Sequence, residues 1–228
     1  MIKKIIQYTL AFIFLCINSA FAIPAEGNFL PSVHRWVWGV QYNNILRRDF
    51  NKVESKTSSI QYFIKGSFGL TQKLFFDGKI GWGNIQLKCE DGINNDFPTN
   101  FSGGYGLRYL CYENEDFGLK SIFGFQHISC HPHKDVIDNI KYYAIWDEWQ
   151  GTGLLIKCWD KAAIYFGPQY SVAQLKYKED DQRCRLKSED TWGVLIGGDY
   201  QVRKNININI ESRFFDEWAL NLGINVKF

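Results

Sequence analysis

Hydrophobic and polar residues alternate with a period of two along most of the chain. In the last such segment, one face carries Trp218, Leu220, Leu222, Ile224, Val226 and Phe228, and the other carries Asn221, Gly223, Asn225 and Lys227. Successive side chains of a β-strand point to opposite sides, so this pattern predicts a strand with one apolar and one polar face. Such a strand separates two different solvents, and the apolar solvent that fits best is lipid.

Nine further segments show related patterns. They lie near residues 35–43, 60–70, 74–83, 101–109, 119–126, 149–159, 163–172, 192–202 and 206–213. The sixth does not reveal which face is apolar, and Pro168 interrupts the seventh because proline lacks a ladder donor. Short turns alternate with longer polar connections, which is typical of outer-membrane barrels with both termini on the periplasmic side. We predict an all-β protein, a closed antiparallel transmembrane up-and-down β-barrel of ten strands, with eight strands as the alternative.

Closure follows from the solvent, because a sheet edge in lipid leaves backbone groups unpaired. The alternative is a soluble barrel, which turns its apolar side chains inward. The polar faces carry charges of both signs that suit a paired lumen, and aromatic residues suit interfacial girdles. The predicted lumen charges are Lys65, Asp77, Lys79, Arg108, Lys120, Asp199, Glu211 and Arg213. The predicted girdle residues are Trp36, Trp82, Trp192, Trp218, Tyr42, Tyr105 and Tyr200.

The start of the chain predicts export. Residues 1–22 combine Lys3 and Lys4 with a short apolar stretch and end in small residues at Ala20 and Ala22. This is the pattern of a cleaved signal peptide and leaves residues 23–228 as one outer-membrane barrel domain. Cleavage lowers the Lys and Arg count from 26 to 24, against 24 Asp and Glu. The mature chain is therefore nearly neutral, which argues against nucleic acid as a partner.

Three segments carry a family resemblance. They are WGVLIGGDYQVRKNININIESRFFDEWALNLGINVKF at the end of the chain, and GLTQKLFFDGKIGW and GGYGLRYLCY upstream. Together they resemble small bacterial outer-membrane β-barrel domain proteins. The resemblance implies the outer membrane of a Gram-negative-type bacterium and recognition by the barrel-assembly machinery. The implied assembly signal is Leu222, Ile224, Val226 and Phe228. Members of this family include adhesins, narrow pores and lipid-modifying enzymes, so the fold does not decide the function.

His127 and Ser129 are the candidate catalytic residues, because they share one face near the end of the fifth strand. A histidine beside a serine can remove its proton for acyl transfer. The pair resembles the His-x-Ser element of outer-membrane lipid A deacylases, although Cys130 stands here where asparagine usually follows the serine. Asp135 and Asp138 are candidates for a third, carboxylate member. We favour the alternative that both are interfacial strand-end residues, because two-residue motifs recur by chance.

Other polar residues suggest weaker hypotheses. Cys130, His131 and His133 are acceptable zinc or copper ligands, but their spacing matches no established template, and we expect neither metal nor cofactor. Glu211 and Arg213 fit structural ion pairs better than catalysis, because an isolated buried charge is costly. Asp216 and Glu217 fall just beyond them in a short outer turn.

Five cysteines remain after cleavage of the signal peptide, so at least one thiol is left over. Cys111 and Cys158 fall on strands that are not neighbours, and we expect both to be unpaired. Cys89, Cys130 and Cys184 map to outer strand ends or loops, where a disulfide between two of them remains open.

These observations favour an integral outer-membrane barrel of structural, adhesive or minor-pore character, without assigned catalysis. The first alternative is a lipid-acting hydrolase that uses His127 and Ser129, and the second is a soluble periplasmic ligand-binding barrel. Ten strands enclose little more than their own side chains, so a wide porin does not fit. The expected partners are outer-membrane lipid and lipopolysaccharide, and the expected state is a monomer.

Overall fold

The computed structural model describes residues 28–51, 55–89, 94–137, 140–179 and 182–228. The predicted signal peptide lies outside these residues. The described part of the chain contains twelve β-strands and no helix long and apolar enough to cross a membrane.

The strands have the following bounds. They are β1 Trp36–Phe50, β2 Ser55–Gly69, β3 Leu74–Cys89, β4 Asn94–Asn114, β5 Leu119–Cys130, β6 Asp135–Ile137, β7 Ile140–Cys158, β8 Ala162–Glu179, β9 Gln182–Lys187, β10 Trp192–Arg203, β11 Ile206–Phe214 and β12 Trp218–Lys227.

Ten of these strands close into an antiparallel barrel. Each pairs with the next barrel strand along the chain, and β1 closes the ring by pairing with β12. The short strands β6 and β9 lie outside the ring and add to the ends of β7 and β8. The predicted ten-stranded, up-and-down barrel is therefore confirmed.

The two ends of the barrel differ. At the turn end β1 begins and β12 ends. The same end carries the short connections 70–73, 115–118, 159–161 and 204–205. The loop end is the end at which β1 passes to β2, β3 to β4, β5 to β7, β8 to β10, and β11 to β12 through residues 215–217. Several strands continue further toward the loop end than the sequence predicted, and β7 and β8 reach 19 and 18 residues. The predicted loops 130–141 and 177–190 are thus partly hydrogen-bonded hairpins. Their outer faces lack the apolar residues by which the sequence identified the other strands.

Pro168 is accommodated at a gap in one ladder. It pairs with Val194 of β10, whereas the ladder between β7 and β8 skips Gly167 and Pro168. The missing proline N–H therefore falls where no bond to β7 is made. A side chain at Gly167 would also collide with the backbone, since its Cβ would lie 1.8 Å from the carbonyl oxygen of Gly153.

The apolar faces point outward. Leu222 and Ile224 are 41% and 46% exposed, whereas Asn221 and Asn225 on either side of them are buried. The residues predicted as girdles also lie on this outer surface, with Tyr42 half-buried and the other six exposed. A soluble barrel would bury its apolar face, so the prediction of a soluble periplasmic ligand-binding barrel is wrong. An apolar exterior of this kind is the surface that a bilayer covers.

The bore is filled by three layers. Near the loop end, an apolar cluster surrounds Trp146, whose ring meets that of Phe50 edge-on at 5.4 Å. Near the turn end, a second apolar cluster surrounds Tyr165 and is extended by Leu30 from the segment before β1. Tyr165 packs where Gly197 leaves room, because a Cβ there would lie 2.3 Å from the tyrosine Cζ. Buried polar residues occupy the space between these clusters.

Arg48 is the centre of the polar layer and is fully buried. Its Nη1 donates to Glu148 at 2.9 Å and to Glu217 at 3.2 Å, and its Nη2 donates to the Ser171 hydroxyl at 2.7 Å. Arg213 contacts the other oxygen of Glu217 at 2.6 Å. The sequence placed Glu217 in an outer turn, but Asp216 and Glu217 fold into the bore after Phe215, which is exposed and has a φ of 79°.

The predicted lumen charges fall in or beside this layer. Arg108 donates two hydrogen bonds of 2.7 Å to the Asp77 carboxylate, and Lys79 donates one to Gln41 at 3.2 Å. Lys65, Asp199, Glu211 and Arg213 are also buried. Lys120 differs, because it is partly exposed near the turn end and pairs with Glu113 at 2.7 Å.

Replacing Arg48 with alanine will strongly destabilise the barrel. The substitution leaves Glu148 and Glu217 without their shared cation in a buried layer, which costs about 3 kcal/mol or more. The neighbouring substitution Arg47→Ala is the matched control, since its ion pair with Asp49 is exposed to solvent and its loss should change the stability little. The measurement is urea unfolding in detergent micelles, followed by gel mobility. Equal losses in the two variants would contradict the role given to Arg48.

The filled bore predicts a barrel that does not conduct. The two apolar clusters block the described interior near both ends, so ions have no continuous polar path. Planar-bilayer recording of the purified full chain should show no stable conductance steps above the protein-free bilayer. Regular openings of fixed amplitude would show that the bore opens.

Candidate functional site

A polar cluster lies on the outer face of the barrel at the loop-end border of its apolar surface. Ser129 of β5 pairs across the sheet with Asp147 of β7, and its Oγ donates to the aspartate Oδ1 at 2.6 Å. The same Oγ lies 2.8 Å from Nε2 of His131, the first residue after β5. Lys176 of β8 forms an ion pair with Asp147. We call Ser129, His131, Asp147 and Lys176 the rim cluster.

The rim cluster can move the serine proton without losing its hydrogen bonds. A hydroxyl has one proton, and here two acceptors compete for it, the Asp147 carboxylate and an unprotonated Nε2 of His131. Asp147 keeps Lys176 as a partner when the hydroxyl turns away. The cluster therefore permits Ser129 to donate to His131, which is the arrangement that activates a serine nucleophile.

His127 lies two residues before Ser129 on the same face, but its contacts differ. Its Nδ1 lies 3.1 Å from the backbone oxygen of Glu148, and its ring stacks on Trp149 with a centroid distance of 4.2 Å. The hydrogen bonds of the Ser129 hydroxyl go to His131 and Asp147. The pairing of His127 with Ser129 stays a prediction.

The carboxylate of the cluster was not among the sequence candidates. Asp135 instead accepts a bond from the backbone N–H of Val136 at 2.9 Å, and Asp138 lies outside the described residues. Asp147 reaches Ser129 only through the register of β5 against β7. The sequence did not reveal the faces of β7, so it gave no signal for this contact.

The surroundings of the rim cluster are apolar on one side. Phe101 of β4 accepts a bond from the N–H of His131 at 2.8 Å, and the two rings lie 6.2 Å apart. Gly103 stands opposite Ser129 and has no side chain, so the Phe101 ring leans over that position. Phe101 is 48% exposed on the outer surface. The serine hydroxyl therefore borders the apolar belt as well as the polar extension of the barrel.

The candidate metal ligands do not come together. Cys130 faces the bore and is fully buried, whereas His131 faces outward to Ser129 and His133 is exposed. Within the described ranges, no three His, Cys, Asp or Glu residues are grouped so that they could hold a metal ion. Of the cysteines whose side chains are described, Cys111, Cys130, Cys158 and Cys184 are free.

Comparisons with known proteins show the fold alone. No protein-family model and no curated protein matches the chain. An outer membrane channel from Pseudomonas putida F1 is 10% identical, with 90% of this chain and 99% of that chain covered and a TM-score of 0.51. The translocator domain of the autotransporter NalP from Neisseria meningitidis is 10% identical, with 89% and 90% covered and a TM-score of 0.49. The transport unit of the autotransporter AIDA-I from Escherichia coli is 12% identical, with 96% and 97% covered and a TM-score of 0.47.

The likeness to the channel agrees with the closed barrel and its apolar exterior. The chain therefore has the closed β-barrel fold of that channel, which agrees with the resemblance in its sequence. At 10% identity this likeness carries no information about what the barrel does.

Thiol labelling will test which residues around Ser129 point into the bore and which point outward. Cys130 is fully buried in the bore and Cys184 is exposed, so a maleimide should modify Cys184 rapidly and leave Cys130 unmodified in the folded protein. Single-cysteine variants read by mass shift provide the measurement, and urea-unfolded samples serve as the control in which both react. Rapid labelling of folded Cys130 would show that Ser129 and His131 do not face outward as described.

Proposed function

We propose that the protein is an outer-membrane hydrolase that cleaves ester-linked acyl chains of membrane lipid at the rim cluster. The contact of the Ser129 hydroxyl with His131 and Asp147, at the border of the lipid-covered surface, carries this proposal. This proposal differs from the expectation of a structural barrel because Ser129 contacts the Asp147 carboxylate and the His131 imidazole, which the sequence did not connect to the serine.

The reaction would follow the usual course of serine acyl transfer. Ser129 Oγ attacks the ester carbonyl while its proton passes to Nε2 of His131, and the same proton then leaves with the alcohol. Water, deprotonated by His131, releases the fatty acid and restores the serine. Asp147 holds Lys176 beside the cluster, and Lys176 would provide a cation for the charge that develops on the carbonyl oxygen.

The position of the cluster favours a substrate that arrives from the bilayer. Ser129 lies on the outer face, so a lipid can reach it without entering the bore. The acyl chain would lie along the apolar belt beside Phe101, and the more polar part of the lipid would face the extended loop end. This requires that the loop end face the outside of the cell, which is the orientation proposed for this barrel.

The filled bore does not support transport as the main activity. The similar protein from Pseudomonas putida F1 is described as a channel, but here Trp146 and Tyr165 belong to apolar clusters that occlude the interior. An adhesive or purely structural role leaves the hydroxyl, imidazole and carboxylate of the rim cluster unexplained.

Loss of acyl release after substitution of Ser129 will test the proposal. Ser129→Ala and His131→Ala should each lower the release of fatty acid from purified lipopolysaccharide or phospholipid by about a hundredfold or more, since they remove the nucleophile and its base. His127→Ala should lower it by less than about tenfold, because its ring packs on Trp149. The measurement is fatty-acid release by mass spectrometry in detergent micelles.

Ser58→Ala is the matched control. Ser58 lies toward the loop end on β2, three strands from β5 around the ring, where its hydroxyl meets Gln86 at 3.3 Å, so its removal should leave acyl release unchanged. Absence of acyl release by the parent protein on both lipids, or full release by the Ser129→Ala variant, would reject the hydrolase function.

A further inference from the structure

An open cavity lies on the outer face of the barrel at the turn end, beside the seam where β1 pairs with β12. It has a volume of about 500 Å³ and is lined by His34, Arg35, Trp36, Trp38 and Phe228, all of which are exposed. The two tryptophans and Phe228 belong to the edge of the apolar belt, and His34 and Arg35 come just before β1. The cavity, which we call the seam cavity, thus joins an apolar wall to two side chains that can donate hydrogen bonds.

The backbone before β1 is tied to the end of β2. His34 has a φ of 56°, which turns the chain, and its N–H donates to the carbonyl oxygen of Gly69 at 2.7 Å. The N–H of Gly69 donates to the carbonyl oxygen of Arg35 at 3.2 Å, and the His34 ring stacks with that of Phe68 at a centroid distance of 6.4 Å. These contacts fix the backbone from which His34 and Arg35 line the seam cavity.

The seam cavity is open because the tryptophans lean away from β12. Gly66 of β2 pairs with Trp38, and a Cβ at Gly66 would lie 3.1 Å from the Trp38 ring and 3.2 Å from the Trp36 ring. The two indoles therefore lie over β2, where they stack with a centroid distance of 5.3 Å. The space on the other side of the seam, toward Phe228, is left unfilled.

The turn end near the seam carries cations and few acids. The segment 28–36 and the adjacent hairpin turns, 70–73 and 203–205, contain no Asp or Glu, and their cations are Arg35, Lys73, Arg203 and Lys204. Asp199, which reaches the same segment from the bore, accepts hydrogen bonds from three asparagines. Within the described part of the chain, Arg35 forms no ion pair, and this includes the carboxylate of Phe228. The seam cavity therefore favours an anionic ligand.

An apolar groove of about 540 Å³ lies along the same seam, further into the apolar belt. Its lining includes Val40, Tyr42, Ile64, Trp82, Leu222 and Ile224. Val40 is the next outward-facing residue of β1 after Trp38, so this seam groove begins where the seam cavity ends. Val40 and Tyr42 lie five and seven residues beyond Arg35, which is about 13 to 18 Å along the membrane normal for a strand tilted by about 40°. The hydrocarbon of one leaflet is about 15 Å deep, so the groove lies at the height of that leaflet's acyl chains.

We propose that the seam cavity and the seam groove together bind one diacyl phospholipid from the leaflet at the turn end. Arg35 donates paired hydrogen bonds to the phosphate, and an N–H of the His34 ring donates another. Trp36 and Trp38 lie at the border between headgroup and hydrocarbon, as interfacial tryptophans do. One acyl chain then fills the groove across β1 and β12. The lipid covers the contact that closes the ring.

This site is separate from the proposed hydrolase. The rim cluster lies toward the loop end on β5, β7 and β8, whereas the seam cavity lies at the turn end between β1 and β12. Binding at the seam requires no catalysis, so loss of either activity leaves the other in place.

Native mass spectrometry of the full chain, released from detergent micelles, will test the phosphate contact. The chain is titrated with dioleoyl phosphatidylglycerol, and Arg35→Gln is compared with Arg203→Gln. The second substitution removes an exposed cation at the same end that does not line the seam cavity. Heat-modifiable gel migration confirms that each variant is folded.

Arg35→Gln should weaken phosphatidylglycerol binding about tenfold, and Arg203→Gln should weaken it by less than about twofold. Dioleoylglycerol, which lacks the phosphate, should bind the parent chain about tenfold more weakly than phosphatidylglycerol does. Equal weakening by the two substitutions, or equal binding of dioleoylglycerol, would overturn the proposal. Displacement of the lipid by an equal concentration of glycerol phosphate would also overturn it, because the site would then hold a soluble phosphate ester.

A second pair of variants tests the place of the acyl chain. Ile64→Trp fills the seam groove, whereas Ile196→Trp adds the same bulk on the exposed face of β10, outside the groove. Ile64→Trp should weaken phosphatidylglycerol binding about fivefold, since the acyl chain loses its contacts with the groove, and Ile196→Trp should leave it unchanged. Unchanged binding by the Ile64→Trp variant would show that the groove holds no acyl chain.

Discussion

A lipid bilayer contains no water to satisfy a backbone N–H or C=O, so a sheet within it must pair every strand. In this chain the requirement is met by the contact of β1 with β12, which joins the two ends of the sheet into a ring. Once the ring is closed, the alternation of side chains leaves two environments. Apolar residues such as Ile224 must face the bilayer, and their neighbours must face a narrow bore. The rest of the molecule follows from how that bore is filled.

The bore of ten strands is too narrow to solvate many charges separately, so the charges inside it are paired. Arg48, for example, contacts one carboxylate from β7 and another from the turn between β11 and β12. That turn folds inward and brings Asp216 and Glu217 into the interior, where they complete the partners of Arg48 and Arg213. The apolar clusters on either side exclude water and hold this layer in place. The interior is therefore a folded core, and it leaves the outer surface as the place for chemistry.

The parts of this fold that could be predicted from sequence are those that separate two solvents. Strand β12 was evident because lipid and bore impose opposite demands on residues such as Leu222 and Asn221. The ends of β7 and β8 were missed because they extend beyond the apolar belt, where apolar residues such as Trp146 and Leu175 face the bore and polar residues face outward, so the sense of the alternation reverses. The Ser129 contact with Asp147 was missed for a different reason. It depends on the register of two strands whose partners lie 18 residues apart, and a single sequence does not fix that register.

Register also explains how the candidate chemistry is brought together. Ser129, Asp147 and Lys176 come from three strands that are neighbours in the ring, and each side chain faces outward at nearly the same height. Beyond that height β7 and β8 continue, β9 pairs with β8, and Leu175 and Leu186 on the inner face are buried against the bore. The apolar inner residues fix the strand register, and the register in turn aligns the outer residues. The same packing that closes the bore thus arranges a hydroxyl, an imidazole and a carboxylate along the border of the apolar surface.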